Sequence, residues 1–240
     1  MANFYIILLA ALAPALILCW YIYRRDKYQH EPIKMLLLAF FLGVLSTEIA
    51  APLEQMVAFL GLVNPSSTSW LGQIWHAFVG VAVIEEGAKL LVLWILLRRN
   101  KYFDEMIDGV VYAAMVGLGF AAAENVMYLF SNIDSWQSVA IGRAIFSVPA
   151  HFMFAVAMGY YYSRNHFLMV SASDRRRVFT VPVLLHGIFD ALLMIANVSP
   201  AMQGVIFLCF IVVCVVMYRL SLKKINELIK DDELFRNLNI

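Results

Sequence analysis

What most limits the fold of this chain is a series of apolar stretches, each long enough to cross a bilayer, joined by short polar connectors. They run at Phe4–Tyr23, Ile33–Leu62, Trp70–Leu97, Ile107–Phe130, Val139–Tyr162, Val178–Val198 and Met202–Leu220. About twenty apolar residues in a helix span the hydrocarbon core. The composition agrees: 62% of the residues are hydrophobic and 15% charged, where a soluble domain carries about 25% charged residues. The chain is therefore expected to be an all-α polytopic membrane protein, a bundle of about seven transmembrane helices.

The basic residues give this bundle a direction. Arg24, Arg25, Lys27 and Lys34 fall in the first connector, Arg98, Arg99 and Lys101 in the third, and Arg164, Arg175, Arg176 and Arg177 in the fifth. Arg219, Lys223, Lys224, Lys230 and Arg236 follow the last stretch. Under the positive-inside rule this predicts the N-terminus outside and the C-terminus cytoplasmic. Arg24-Arg25 follow the first stretch and no basic residue precedes it, the reverse of a cleavable signal peptide, so a retained span is expected. Residues 1–220 read as a single transmembrane domain and 221–240 as a short cytoplasmic tail with an amphipathic pattern at Ile225, Leu228 and Ile229. A net charge of +1 gives no basic field for nucleic acid. Cys19, Cys209 and Cys214 lie in apolar runs without metal or redox spacing.

Against this background, ionisable residues inside the spans need a reason, because each costs about 2.5–3.5 kcal/mol at the centre of an inserted helix. Glu85, Glu86 and Lys89 sit together in the third stretch. Glu85 and Lys89 are four apart and share a helix face in the favourable order. Glu86 is left over; two adjacent carboxylates repel, and one poised to hold a proton can act as general acid or base. In the fourth stretch Gly109, Ala113, Gly117 and Ala121 recur every four residues and lead to Glu124-Asn125, a small-residue stripe that permits close helix approach. Gly117-Leu-Gly119-Phe-Ala-Ala has the look of a dinucleotide fingerprint, but no strand precedes it. Asp108 suits a helix N-terminal carboxylate. Arg143, Ser147, His151, Ala155 and Gly159 repeat the four-residue spacing in the fifth stretch, with Pro149 beside His151. In the sixth, His186 and Asp190 share a face, so the imidazole is a base held in one tautomer or a metal ligand with its carboxylate partner. Glu48 lacks an obvious partner, and Arg143 or Lys89 are its candidates. His30, His76 and His166 read as interfacial or solvated.

Taken together, Glu85-Glu86-x-x-Lys89, Phe120-x-x-x-Glu124-Asn125, His151 and His186-x-x-x-Asp190, each in its own span, resemble the PrsW family of bacterial intramembrane proteases. The family is similar, more distantly, to the CAAX prenyl endoproteases, whose second motif commonly ends in His where this chain has Glu124-Asn125. The resemblance implies a multi-pass protease of the bacterial plasma membrane. It would perform site-1 cleavage of a single-span anti-sigma factor, the first step of the regulated intramembrane proteolysis that frees an extracytoplasmic-function sigma factor under envelope stress. Its expected partners are that substrate and membrane lipid. Glu85, Glu86, His151 and His186 are the expected catalytic residues, supported by Lys89, Glu124, Asn125 and Asp190, with His151 and Asn125 as oxyanion donors. The family is classed with metallopeptidases. Should a metal such as Zn2+ be used, His151, His186 and Glu124 are the candidate ligands; glutamate–histidine activation of water without a metal is the other version. Other classes compatible with the same residues are a CAAX-protease-like peptidase or immunity-type membrane protein, a small proton-coupled transporter, and a non-catalytic scaffold.

Overall fold

The computed structural model describes residues 4–238, so the last two residues of the expected tail lie outside the described residues. Among the described residues the chain is all helix, with no strand. The elements are α1 (Phe4–Arg25), α2 (Ile33–Phe59), α3 (Trp70–Trp75), α4 (Val83–Leu97), α5 (Met106–Ser131), α6 (Trp136–Gly142), α7 (Val148–Phe167), α8 (Ala172–Val198) and α9 (Gln203–Asn237). A π-helical segment, His76–Ala82, joins α3 to α4, and a second, Arg143–Ser147, joins α6 to α7. Six helical stretches are long and apolar enough to cross a membrane. The third expected span, Trp70–Leu97, is α3, π segment and α4 running on as one helix, with right-handed helical backbone at both joints.

The centre of the bundle is α5. Its apolar window is 94% buried, and α1, α2, α4, α6, α7 and α9 pack around it. The small-residue stripe explains how it can be so enclosed. A Cβ on Gly159 of α7 would lie 2.4 Å from the Gly109 carbonyl oxygen, so α7 and α5 meet backbone to backbone. On the opposite side a Cβ on Gly119 would lie 2.0 Å from the Phe40 carbonyl oxygen of α2. Without a hydrophobic force between helices in lipid, such close van der Waals contact is what holds them together. Outward-facing apolar side chains remain exposed, including Leu9, Ile17, Trp20, Phe41 and Leu208, as lipid-facing surfaces require.

The connectors sort by end. Arg25 donates to Asn226, Gln29 to Asp104, and Arg236 to Glu105, so the basic connectors and the end of α9 meet at one end of the bundle. At the other end Trp70 donates to Ser199, and Trp75 to the Leu62 carbonyl. Residues 221–237 continue α9 without a break; the amphipathic pattern packs against the bundle, with Ile225 and Leu228 fully buried. Asp232 then accepts from the Met106 and Ile107 amides, capping α5. Glu105 and Asp108 complete a capping box there. In the connector before α2, burial pushes the Asp26 carboxyl up to about 6 and that of Glu31 up to about 7.

Candidate active site

Four helices bring their ionisable residues to one buried point. Glu85 and Glu86 open α4, directly after the first π segment. Lys89, one turn on, points its ammonium between them, with Nζ 3.1 Å from Glu85 Oε2 and 2.8 Å from Glu86 Oε1. Its third contact is His151 Nδ1 on α7, at 3.1 Å. An ammonium has three protons and here three acceptors. His151 Nδ1 must therefore accept, which puts the ring proton on Nε2. Nε2 faces Glu124 Oε2 of α5 at 2.7 Å. From α8, His186 presents Nδ1 to Glu86 Oε1 at 2.9 Å and Nε2 to Asp190 Oδ2 at 3.2 Å, with Glu85 Oε2 3.9 Å from the same nitrogen. The inner part of this cluster is buried, with Glu86 0%, Lys89 3%, His186 3% and Glu85 5% exposed, while Glu124 and Asp190 keep part of their surface. Pairing is what makes such burial tolerable, since an isolated buried charge costs far more.

Aromatic rings fix the polar groups in place. Phe154 stacks on His186 with centroids 4.6 Å apart, and Phe120 lies under the Lys89 ammonium at 4.0 Å. The irregular helix turns contribute too. Pro149 has no N–H for the Ile145 carbonyl, and its ring crowds that carbonyl, so the preceding turn widens into the second π segment. The first π segment packs on α8, where the Phe78 ring lies over Gly187, next to His186. Each π turn thus precedes one of the clustered elements.

A cavity of about 400 Å³ reaches this point, lined among others by Glu54, Glu85, Glu124, Arg143, His151 and His186. Its remaining walls include Tyr128, Ser147, Leu193 and Asn197, which lie on the side of the connectors poor in basic residues. Glu86 is not among the lining residues: of the paired glutamates, Glu85 alone faces the open space.

Seven residues singled out in the sequence therefore meet: Glu85, Glu86, Lys89, Glu124, His151, His186 and Asp190. Asn125 does not present a free amide. Its Nδ2 donates to the Ala11 carbonyl of α1 at 3.0 Å, and its Oδ1 accepts from Arg143 Nε at 2.6 Å. The expected pairing of Glu48 with Arg143 or Lys89 does not form. Both cations are committed inside the bundle, and Glu48 lies on the exposed face of α2. Two charged lining residues, Arg143 and Glu54, lie outside the set that the sequence assigns to the site. Arg143 holds Glu124 at 3.2 Å and sits over the Tyr128 ring. Its signal in the sequence is an arginine inside a span, there read as a candidate partner of Glu48.

The donor set suits a metal. Glu85, Glu86 and His186 offer ligand atoms within 4.8 Å of one another, and so do Glu85, Glu124 and His151. Two imidazoles and carboxylates are the ligands Zn2+ takes. Glu85 belongs to both groups, a ligand position not anticipated beside His151, His186 and Glu124.

Comparison with known proteins gives the family of the chain. The chain is 34% identical over 223 residues to the protein named Protease PrsW of Clostridioides difficile (strain 630), covering 91% of this chain and 90% of that one. It is 35% identical to Protease PrsW of Geobacillus kaustophilus (strain HTA426), over 77% of this chain and 78% of the other. It is also 35% identical to Protease PrsW of Bacillus subtilis (strain 168), over 78% of this chain and 82% of the other. No solved structure matches. The family model described as PrsW family intramembrane metalloprotease matches residues 31–217, which takes in α2 to α8 and the first part of α9 together with every clustered residue. The chain belongs to the PrsW family of intramembrane metalloproteases and is a multi-pass bacterial membrane peptidase.

Proposed function

We propose that this protein performs site-1 cleavage of a single-span membrane protein, an anti-sigma factor, and so begins the regulated intramembrane proteolysis that activates an extracytoplasmic-function sigma factor. The observation that carries the reading is the division of labour between the paired glutamates. Glu85 faces the cavity, while Glu86 is held behind it by Lys89 and His186. The cavity extends towards the end of the bundle poor in basic residues. With the N-terminus outside and the C-terminus cytoplasmic, that end faces outward, which suits a cut made from the extracytoplasmic side.

In this reading Glu85 is the general base. It takes a proton from water, the oxygen of that water bonds to the scissile carbonyl carbon, and the carbon–nitrogen bond breaks as the proton passes to the departing amine. Glu86 and Asp190 orient His186 from its two ring nitrogens. His151, with its proton on Nε2, is aligned by Lys89 and Glu124. Arg143, held by Asn125, faces the cavity and is the cationic donor available to the developing oxyanion; Asn125 acts through it. His151, His186 and Glu124 are the residues that would hold a metal, each imidazole giving up one of its present partners to do so, Lys89 or Glu124 for His151 and Glu86 or Asp190 for His186, with Glu85 left as the base. A metal bound there supplies Lewis acidity and a more acidic water.

The test is cleavage of a co-expressed single-span anti-sigma factor in membranes. Glu85→Gln is expected to lower the rate by a factor of about 10²–10⁴, the usual contribution of a positioned general base, with the protein still in the membrane at normal level. Wild-type rates in both Glu85→Gln and Glu86→Gln would remove the glutamates from the chemistry. Elemental analysis of the purified protein decides the metal: one equivalent of zinc, lost in His186→Ala, is expected of the metal version.

A further inference from the structure

At the end of the bundle bearing the basic connectors, five carboxylates are buried where the α1–α2 connector, the start of α5 and the last turns of α9 meet. Asp26, Glu31, Glu105, Asp108 and Asp232 are all 9% exposed or less. Part of this charge has a structural account. Asp232 caps the Met106 and Ile107 amides. Asp108 Oδ2 accepts from the Asp104 and Glu105 amides at 3.0 and 2.6 Å. Asp26 Oδ2 accepts from the Glu31 amide at 3.2 Å, Glu31 accepts from Tyr112, and Arg236 pairs with Glu105.

The remainder has none. Asp26 Oδ1, Glu105 Oε2 and Asp108 Oδ1 are buried without a hydrogen-bond partner. The same three residues offer carboxylate oxygens within 4.8 Å of one another. The positive charge at hand is the Arg236 guanidinium and about half a charge from the N-terminus of α5, set against five carboxylates. His30 adds one ring nitrogen at 3.8 Å from Asp26, from a side chain that is half exposed. Buried, unpartnered carboxylate oxygens converging on one point are the ligand set of a hard cation, which takes oxygen donors and tolerates retained water.

We propose that Asp26, Glu105 and Asp108 bind a hard divalent cation, Mg2+ or Ca2+, at a site separate from the peptidase centre. Asp108 and Glu124 are sixteen residues apart on α5, about 24 Å at the helical rise. The cation clamps the α1–α2 connector to the start of α5, beside the point where α9 caps that helix. Its role is to lock the end of the bundle distant from the cavity.

The experiment is thermal unfolding of the full chain in detergent, stripped with a chelator and then titrated with MgCl2, CaCl2 or KCl at matched ionic strength. A saturable rise in Tm of several degrees is expected with MgCl2 or CaCl2 and not with KCl; the ion acting at the lower concentration identifies the cation. The rise is expected to persist in His186→Ala, which removes a ligand of the peptidase centre, and to vanish in the double variant Asp26→Asn, Glu105→Gln. No saturable rise with either divalent ion, or a rise lost in His186→Ala and kept in the double variant, overturns the proposal. Should the double variant not fold, equilibrium dialysis of the wild type and His186→Ala decides. One tightly held Mg2+ or Ca2+ per chain in both supports the site, and none in His186→Ala overturns it.

Discussion

Lys89 is the residue on which the buried site balances. Its ammonium is the shared partner of Glu85, Glu86 and His151, and Phe120 closes it from below. Replacing it with Met keeps the length of the side chain and removes the charge. Breaking a buried ion pair from one side costs about 3–5 kcal/mol, because the other charge is left uncompensated. Lys89→Met is therefore expected to lose stability on that scale, read as a lower unfolding midpoint in detergent, and to lose cleavage with it. A midpoint equal to wild type would mean that the carboxylates are not charged against Lys89. Glu85→Gln and Glu86→Gln differ from it in kind: each keeps the shape of the side chain and tests the chemistry described above.

At the scale of elements, the contact between α5 and α7 decides whether His151 reaches Lys89 and Glu124. That contact depends on Gly159, whose added Cβ would lie 2.4 Å from the Gly109 carbonyl oxygen and 2.6 Å from the Val110 Cα. Both obstacles are backbone and cannot swing aside. Gly159→Ala gains about 0.5–1 kcal/mol in helix propensity but overpacks the interface at a cost of about 1–3 kcal/mol. The expected net result is a lower unfolding midpoint and reduced cleavage, since the helices must part. A midpoint above wild type would show that propensity outweighs contact here. The two π segments belong to the same scale. One follows from Pro149, visible in the sequence; for the other, His76–Ala82, neither Pro nor any other local residue pattern supplies a cause.

For the whole molecule, the sorting of connectors predicts a topology. The contacts of Arg25 with Asn226 and Trp70 with Ser199 set the two ends apart. We expect a single cysteine at Ser67, in a cysteine-free background, to react with an impermeant maleimide in intact cells, and one at Lys101 to react only after the membrane is opened. The opposite labelling pattern would turn the cavity towards the cytoplasm and count against site-1 cleavage. Much of the architecture was legible beforehand because membrane spans are written in local composition: the expected boundaries Phe4–Tyr23 and Ile107–Phe130 differ by only a few residues from α1 and α5. The α2 stretch ends three residues earlier than its apolar run, at Phe59, with Gly61 in a left-handed conformation at φ 70°. The far end of α9 was less legible, because a polar helix reads as a tail until its buried face finds a partner.

The sequence by itself determined the spans, the list of ionisable residues inside them and the small-residue stripes, since each follows from hydropathy, helical spacing or the cost of charge in lipid. Only the tertiary structure decided which of those residues meet. Helical spacing puts Glu85 and Glu86 side by side, but the packing of α4 against α2, α5 and α8 turns Glu85 to the cavity and Glu86 to Lys89 and His186. The same packing spends Asn125 on Ala11 and Arg143, brings Arg143 and Glu54 to the cavity wall, and leaves Glu48 outside. Spacing along one helix fixes a face, and the neighbour that face meets is set by contacts between residues a hundred or more positions apart, as between Glu86 and His186 or Asn125 and Ala11.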